Sequence, residues 1–277
     1  RQRPQPVEPP CSTIWCVVKN LRSRHLHRVG YKPPHGFTGA GVTMRPLATR
    51  LDGHKIMPDL IGHGKSEAPA QLSPYTLPSM SKQLSELLHQ LGTERAAVVG
   101  YSFGGRIALN FALSHPHHVE SLTLIGASPG IYDDDAREQR RLADLQLANS
   151  ISQNGLRFFI EKWLSMPMWE SLRNKLTAAQ WQDSISERKT SHPLGLANSL
   201  RAGGTGSMNP LHGALRNLKI PTLLLVGDKD HKFLQIAQDM STALPNASIH
   251  IVADSGHAAH LEQPAATAQA IIEHFAC

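Results

Sequence analysis

Apolar and polar positions follow two alternating rhythms over most of the chain. "HKIMPDLIGHGKS" starts as a short apolar strand and runs into a Gly-rich turn. In "SMSKQLSELLHQLG", Met80, Leu84, Leu87, Leu88 and Leu91 recur at helical spacing and Gly92 closes the run, which predicts an amphipathic helix. "RAAVVGYS" reads as a buried strand, "GGRIALNFALSHP" as a helix stopped near Pro116, and "VESLTLIGA" as another strand. The same alternation returns late in the chain. "IPTLLLVGDKD" and "ASIHIVADSGH" read as strands, and "FLQIAQDMSTAL" and "PAATAQAIIEHF" as helices. Strand and helix in turn predict a mostly parallel sheet covered on both faces, an α/β fold.

Residues 129–210 break that rhythm. They are helical, amphipathic and rich in charge, Trp and Met, clearest in "REQRRLADLQLANSI" and "GLRFFIEKWLSMPMWESL". The pattern predicts an α/β core over 33–128 and 211–277, with a helical lid inserted at 129–210. Residues 1–32 stand apart as an atypical basic leader. It opens on the Pro-rich "RQRPQPVEPP", holds one candidate strand at Ile14–Val18, and lacks the apolar stretch of a secretory signal.

Charge changes one part of this picture. The formal net charge is +6, but residues 1–32 hold seven Lys/Arg and one acid. The other 245 residues balance, so the basic character describes the leader and gives no reason to expect a nucleic-acid partner. No run of 18 uncharged apolar residues exists, so no membrane span is expected. Cys11, Cys16 and Cys277 have neither disulfide-framework nor metal-ligand spacing. Sixteen histidines invite a metal reading, but His115, His117 and His118 fit the end of a helix better, and no metal site is expected.

The chemistry starts at "GYSFGGR", Gly100–Arg106. Gly-x-Ser-x-Gly arises by chance at about 0.1 per chain of this length, so the pattern alone is weak. Here a buried strand precedes it and a helix follows, the context of a nucleophile elbow. Such a serine needs a base and an orienting acid, in the chain order Ser, Asp/Glu, His. "LLLVGDKD" supplies Asp228 and Asp230 after a strand, and "VADSGHAAHLEQP" supplies His257 after the next. Asp230, further into its loop, is the expected partner, and Asp228 the turn-forming carboxylate. His260 reads as a surface or packing residue. The backbone N–H of Phe103, next to Ser102, and that of Phe37 in "HGFTG" are the expected oxyanion donors.

Taken together, "HGF", "DLIGHGKS", the elbow, "GDKD" and "GH" resemble the α/β-hydrolase superfamily, with its mostly parallel central sheet. The longer runs "GYSFGGRIAL", "ASPGI", "REQRRLAD", "FIEKWLSMPMW", "GLANSLRAGGTGSMNPL", "GDKDHKF" and "GHAAHLEQP" narrow this. They resemble the menaquinone-pathway 2-succinyl-6-hydroxy-2,4-cyclohexadiene-1-carboxylate (SHCHC) synthase family, over about His35 to Phe275. The resemblance implies a cofactor-free lyase, acting as a cytoplasmic monomer, that eliminates pyruvate from a cyclohexene bearing three carboxylates. It implies Ser102, Asp230 and His257 as the catalytic triad, with Ser102 the base. It also implies Tyr101, Arg106, Arg140, Arg188, Trp163 and Lys232 as substrate-binding residues, since arginine grips a carboxylate through two parallel hydrogen bonds. The chain departs from the family before His35, where "HRVGYKPPHG" replaces an apolar strand, and at Leu164 and Met44, where aromatics are commoner.

Two other readings remain open at this level. A serine hydrolase of the same fold, cleaving an ester or carbon–carbon bond, would form an acyl-enzyme and have no need of Arg106. A folded relic would keep the triad without turnover.

Overall fold

A computed structural model describes residues 16–19 and 35–276 of the chain. Strand β1 (Cys16–Lys19) lies within the segment set apart as a leader, yet it sits inside the sheet. Ile14 and Trp15 of the candidate strand, the proline-bearing run 28–34, Cys11 and Cys277 lie outside the described residues.

A short helix, α1 (Arg45–Ala48), precedes β2 (His54–Ile56). Helix α2 (Leu77–Gln90) follows, capped by Thr76, whose hydroxyl accepts from Ser79 N. Then come β3 (Ala96–Tyr101), α3 (Phe103–Ser114) and β4 (Val119–Ile125). The lid helices are α4 (Asp134–Leu164), α5 (Glu170–Lys175), α6 (Ala178–Arg188) and α7 (Pro193–Gly203). The core resumes with β5 (Thr222–Gly227), α8 (His231–Ala243), β6 (Ala247–Val252), α9 (Ala259–Glu262) and α10 (Pro264–Ala276).

The sheet order is β2-β1-β3-β4-β5-β6. β1 runs antiparallel to both neighbours, and β3 to β6 are parallel. Every residue of β3 and β5 is buried, which is why both read as continuous apolar runs. The apolar side of α2 packs with α3 on one face, placing Leu84, Leu88, Ile107 and Phe111 in one cluster. The other cluster joins Met44, Ile125 and Leu225 to the lid's Phe159 and Leu164, so two of the departures from the family, Met44 and Leu164, are core residues.

Parallel strands carry their C-terminal ends to one edge, and ligands bind outside that edge in sheets of this kind. Residues of helix α4 face that edge across a shared cavity. The course of α4 is interrupted at Gly155, whose φ of 79° and ψ of 166° are not helical. Past α3, a short 3₁₀ turn (Pro116–His118) leads into β4. The rings of His115 and His118 stack on Phe111, and His118 Nδ1 lies 2.7 Å from Glu94 O. Among the described residues, no group of three or more His, Cys, Asp or Glu side chains could hold a metal ion, and no helix is long and apolar enough to cross a membrane.

Candidate active site

Ser102 stands between the end of β3 and the start of α3, with φ 50° and ψ −109°. A non-glycine residue there is strained and persists only where its surroundings hold it. Its N–H donates to Ile125 O (2.8 Å), and its carbonyl accepts from Arg106 N (3.1 Å). The turn is tight enough that a Cβ on Gly100 would lie 2.7 Å from Gly104 O.

Asp230 caps α8, one residue beyond the turn that ends β5. His257 follows β6 in a turn held by Asp228, whose carboxylate accepts from Asp254 N and Ser255 N (both 2.9 Å). The turn-forming role read for Asp228 thus has a definite object, the loop that carries the histidine. Ser102 Oγ donates to His257 Nε2 (3.0 Å), and His257 Nδ1–H donates to Asp230 Oδ2 (2.7 Å). The three groups form one hydrogen-bonded chain from acid to base to hydroxyl, the geometry of a serine triad.

The "HGFTG" loop is fixed from beneath. His35 Nδ1–H donates to Gly36 O (2.8 Å), and Asp59 of "DLIGHGKS" accepts from Gly41 N and Lys65 N. His35 and His63 are fully buried, and burial holds them down to about 4 and about 3, so both are neutral at pH 7. Phe103 is the first residue of α3, so its N–H has no acceptor within the helix and is available to a ligand. Phe37 lines the same cavity.

That cavity holds about 490 Å³ and contains Ser102, Asp230 and His257 at its wall. Arg106, Arg140, Trp163 and Lys232 also line it. Arg106 is 9% exposed, with Nη1–H donating to Gly203 O (2.8 Å). Burial pulls its guanidinium below the ordinary range, and Arg140 adds to this by repulsion. It has no carboxylate partner among its hydrogen bonds, so an anion entering the cavity finds a desolvated cation.

Tyr101 and Arg188 are not brought to the cavity wall. Tyr101 is buried beneath His257 and His260, with ring centroids 5.3 and 4.2 Å away. Burial raises its phenol well above the usual range, and its hydroxyl has no partner. Arg188 is 4% exposed, lies over Trp169, and donates to Ser184 O and Oγ. His260 is fully buried against Tyr101, a packing position, and burial holds it down to about 3.

Ser128, Asp144, Ser199 and Thr205 are polar residues of the wall outside the set that the sequence points to. Ser199, on α7, is 2% exposed and its hydroxyl has no partner. No sequence signal marks it. Asp144 is 1% exposed and lies one helical turn after Arg140, a spacing that predicts an ion pair on a helix.

A family model for the alpha/beta hydrolase fold matches residues 34–264. A Bacillus subtilis (strain 168) protein provisionally named 2-succinyl-6-hydroxy-2,4-cyclohexadiene-1-carboxylate synthase is 35% identical over 231 residues, 83% of this chain and 84% of that protein. The synthase of that name from Yersinia pestis bv. Antiqua (strain Nepal516) is 32% identical over 240 residues, 86% of this chain and 84% of its own length. The solved structure of MenH from S. aureus superposes with a TM-score of 0.83 at 28% identity, covering 87% of this chain and 91% of that one. With the fold, the cavity and the length of these matches in agreement, the chain belongs to the SHCHC synthase family of α/β-hydrolase-fold proteins.

Proposed function

We propose that the protein is a lyase of menaquinone biosynthesis that eliminates pyruvate from an enolpyruvyl-succinyl-cyclohexene-carboxylate to give SHCHC. The observation that carries this reading is the combination at one cavity. A connected Ser102–His257–Asp230 chain opens onto a space walled by Arg106, Arg140 and Lys232. A neutral ester would gain nothing from three cations, whereas a tricarboxylate matches them.

The residues act as follows. His257 Nε2 takes the proton of Ser102 Oγ, and Asp230 orients the ring and stabilises its cation. Ser102 Oγ takes a proton from the carbon alpha to the succinyl ketone. The N–H groups of Phe37 and Phe103 hold the charge that develops on the ketone oxygen. Electrons returning from that enolate shift through the ring double bond to form the conjugated diene and break the ring C–O bond, so enolpyruvate leaves with its oxygen, gains a proton from His257 on carbon and becomes pyruvate. No acyl-enzyme forms, and no cofactor takes part. Arg106, Arg140 and Lys232 hold carboxylates, and Trp163 packs over the ring. Tyr101 packs against the His257 ring from behind the cavity wall, and Arg188 lies over Trp169. The protein acts on this small molecule as a cytoplasmic monomer, without nucleic acid.

The test supplies the enolpyruvyl cyclohexene and follows pyruvate. Release is expected from the wild type and lost by about 10³-fold or more in Ser102→Ala. Release that survives Ser102→Ala would sink the mechanism. Ester turnover without pyruvate would favour a hydrolase instead.

A further inference from the structure

Asp144 presents a paradox of charge. It is a buried carboxylate on the wall of a cavity that is otherwise suited to anions, where it opposes a polyanionic ligand. Both of its oxygens are engaged. Oδ1 accepts from Arg140 Nε (2.8 Å), and Oδ2 accepts from Gly206 N (3.2 Å).

We propose that Asp144 is a positioning residue, which decides the edge Arg140 presents to substrate by tying it to the loop at residues 204–206 that follows α7. This rests on the lyase reading for the identity of the substrate, but on the observed contacts for the geometry. A guanidinium can grip a carboxylate through its Nε–Nη edge or through its Nη–Nη edge. With Nε held by Asp144, only the Nη–Nη edge of Arg140 is left for a ligand carboxylate. Arg140 is 39% exposed, so packing alone does not hold it.

The loop explains why the anchor is firm. A Cβ on Gly206 would lie 2.2 Å from Arg141 N, so α4 and the loop touch backbone to backbone. A Cβ on Gly204 would lie 2.6 Å from Asp144 Oδ2. Gly203 O, at the end of α7 where it leads into that loop, accepts from Arg106 Nη1. The end of α7 and this loop therefore register a core arginine from α3 against a lid arginine from α4. The charge of Asp144 also offsets the repulsion between the two guanidinium groups.

The experiment compares wild type, Asp144→Asn, Arg140→Ala and the double variant by steady-state pyruvate release. Asp144→Asn should raise KM about tenfold, with kcat changed less than about twofold. The double variant should be no worse than Arg140→Ala, because Asp144 acts through Arg140. An unchanged KM in Asp144→Asn overturns the proposal, and so does its full penalty repeated on Arg140→Ala, which marks a purely structural role. If Asp144→Asn does not fold, Asp144→Glu keeps the charge, displaces the acceptor by one methylene, and carries the same comparison. Binding of tricarballylate to the same four proteins, read by calorimetry, separates this proposal from the lyase reading. Tricarballylate binding that falls about tenfold in Asp144→Asn, in a wild type that releases no pyruvate, supports the positioning and defeats the lyase. A wild type that does neither defeats both.

Discussion

On the sheet side of the cavity, the reactive groups come from three separate segments, each following a parallel strand. Ser102 follows β3, Asp230 follows β5 and His257 follows β6. On the lid side, Arg140, Asp144, Leu147 and Trp163 all come from one helix, α4. The sheet side is set by backbone: strand register, a strained φ at Ser102 and turns held by the carboxylates of Asp228 and Glu262. The lid side is set by side chains, through one ion pair and a close approach of two backbones. Reactive geometry is thus built into the part of the molecule with the most cooperative packing. Ligand choice is built into a part that can change without rebuilding the sheet.

The largest effect should separate the two sides by acid. His35, His63 and His260 all lie on the sheet side and are held down to between about 3 and about 4 by burial. Unfolded, each titrates near 6.5, so between that pH and about 4 the unfolded chain binds more protons than the folded one. Stability therefore falls as pH drops through this window, by about 4 kcal/mol per pH unit when all three contribute. Denaturant unfolding at pH 7 and at pH 5 measures the slope. His260→Leu should remove about a third of it. Neither ring nitrogen of His260 has a partner, so the change should not lower stability at pH 7. An unchanged slope in that variant would show that His260 is already charged in the folded state.

The next effect concerns the one substrate arginine supplied by the sheet side. Arg106→Ala should raise KM for the enolpyruvyl substrate by about 100-fold, because it removes a desolvated cation from its carboxylate. Steady-state pyruvate release measures it. A loss confined to kcat would instead place Arg106 in the machinery of the triad.

The two sides also differ in how readable they are from sequence. The elbow, the two acidic candidates and His257 follow from strand-then-turn patterning, since backbone geometry restricts what residues can stand there. Position alone favours Asp230 over Asp228 as the partner of the histidine; His257 Nδ1–H donates to Asp230, and Asp228 holds the backbone of the loop that follows β6. On the lid, periodicity yields helices but not their facing. Arg140 and Arg141 are adjacent, and only the fold shows that Arg140 reaches the cavity while Arg141 pairs with Glu138 in solvent. Arg188 has the same helical setting as Arg140 but turns inward onto Trp169, away from the cavity wall. Nor could the pattern show β1 between β2 and β3, because a four-residue strand in a basic, Pro-rich segment has almost no periodic signal.

The smallest effect tests whether the lid's own backbone contributes to the site. Gly155 interrupts α4 at a φ and ψ available essentially to glycine alone, and nothing lies within 4 Å of where a Cβ would stand. Gly155→Ala therefore meets no steric obstacle, only backbone strain of about 1–2 kcal/mol. The chain can relieve that strain by straightening α4. Straightening would swing residues 156–164 relative to 134–154, and with them Trp163, which lines the cavity, and Phe159, which the lid buries in the core. The expected result is a fall in Tm of a few degrees, together with a higher KM and an intact triad. Burst-free turnover with unchanged kcat would confirm that the sheet side is untouched. A variant with the Tm and KM of the wild type would mean that packing of Phe159 and Trp163, and not the glycine, sets the bend.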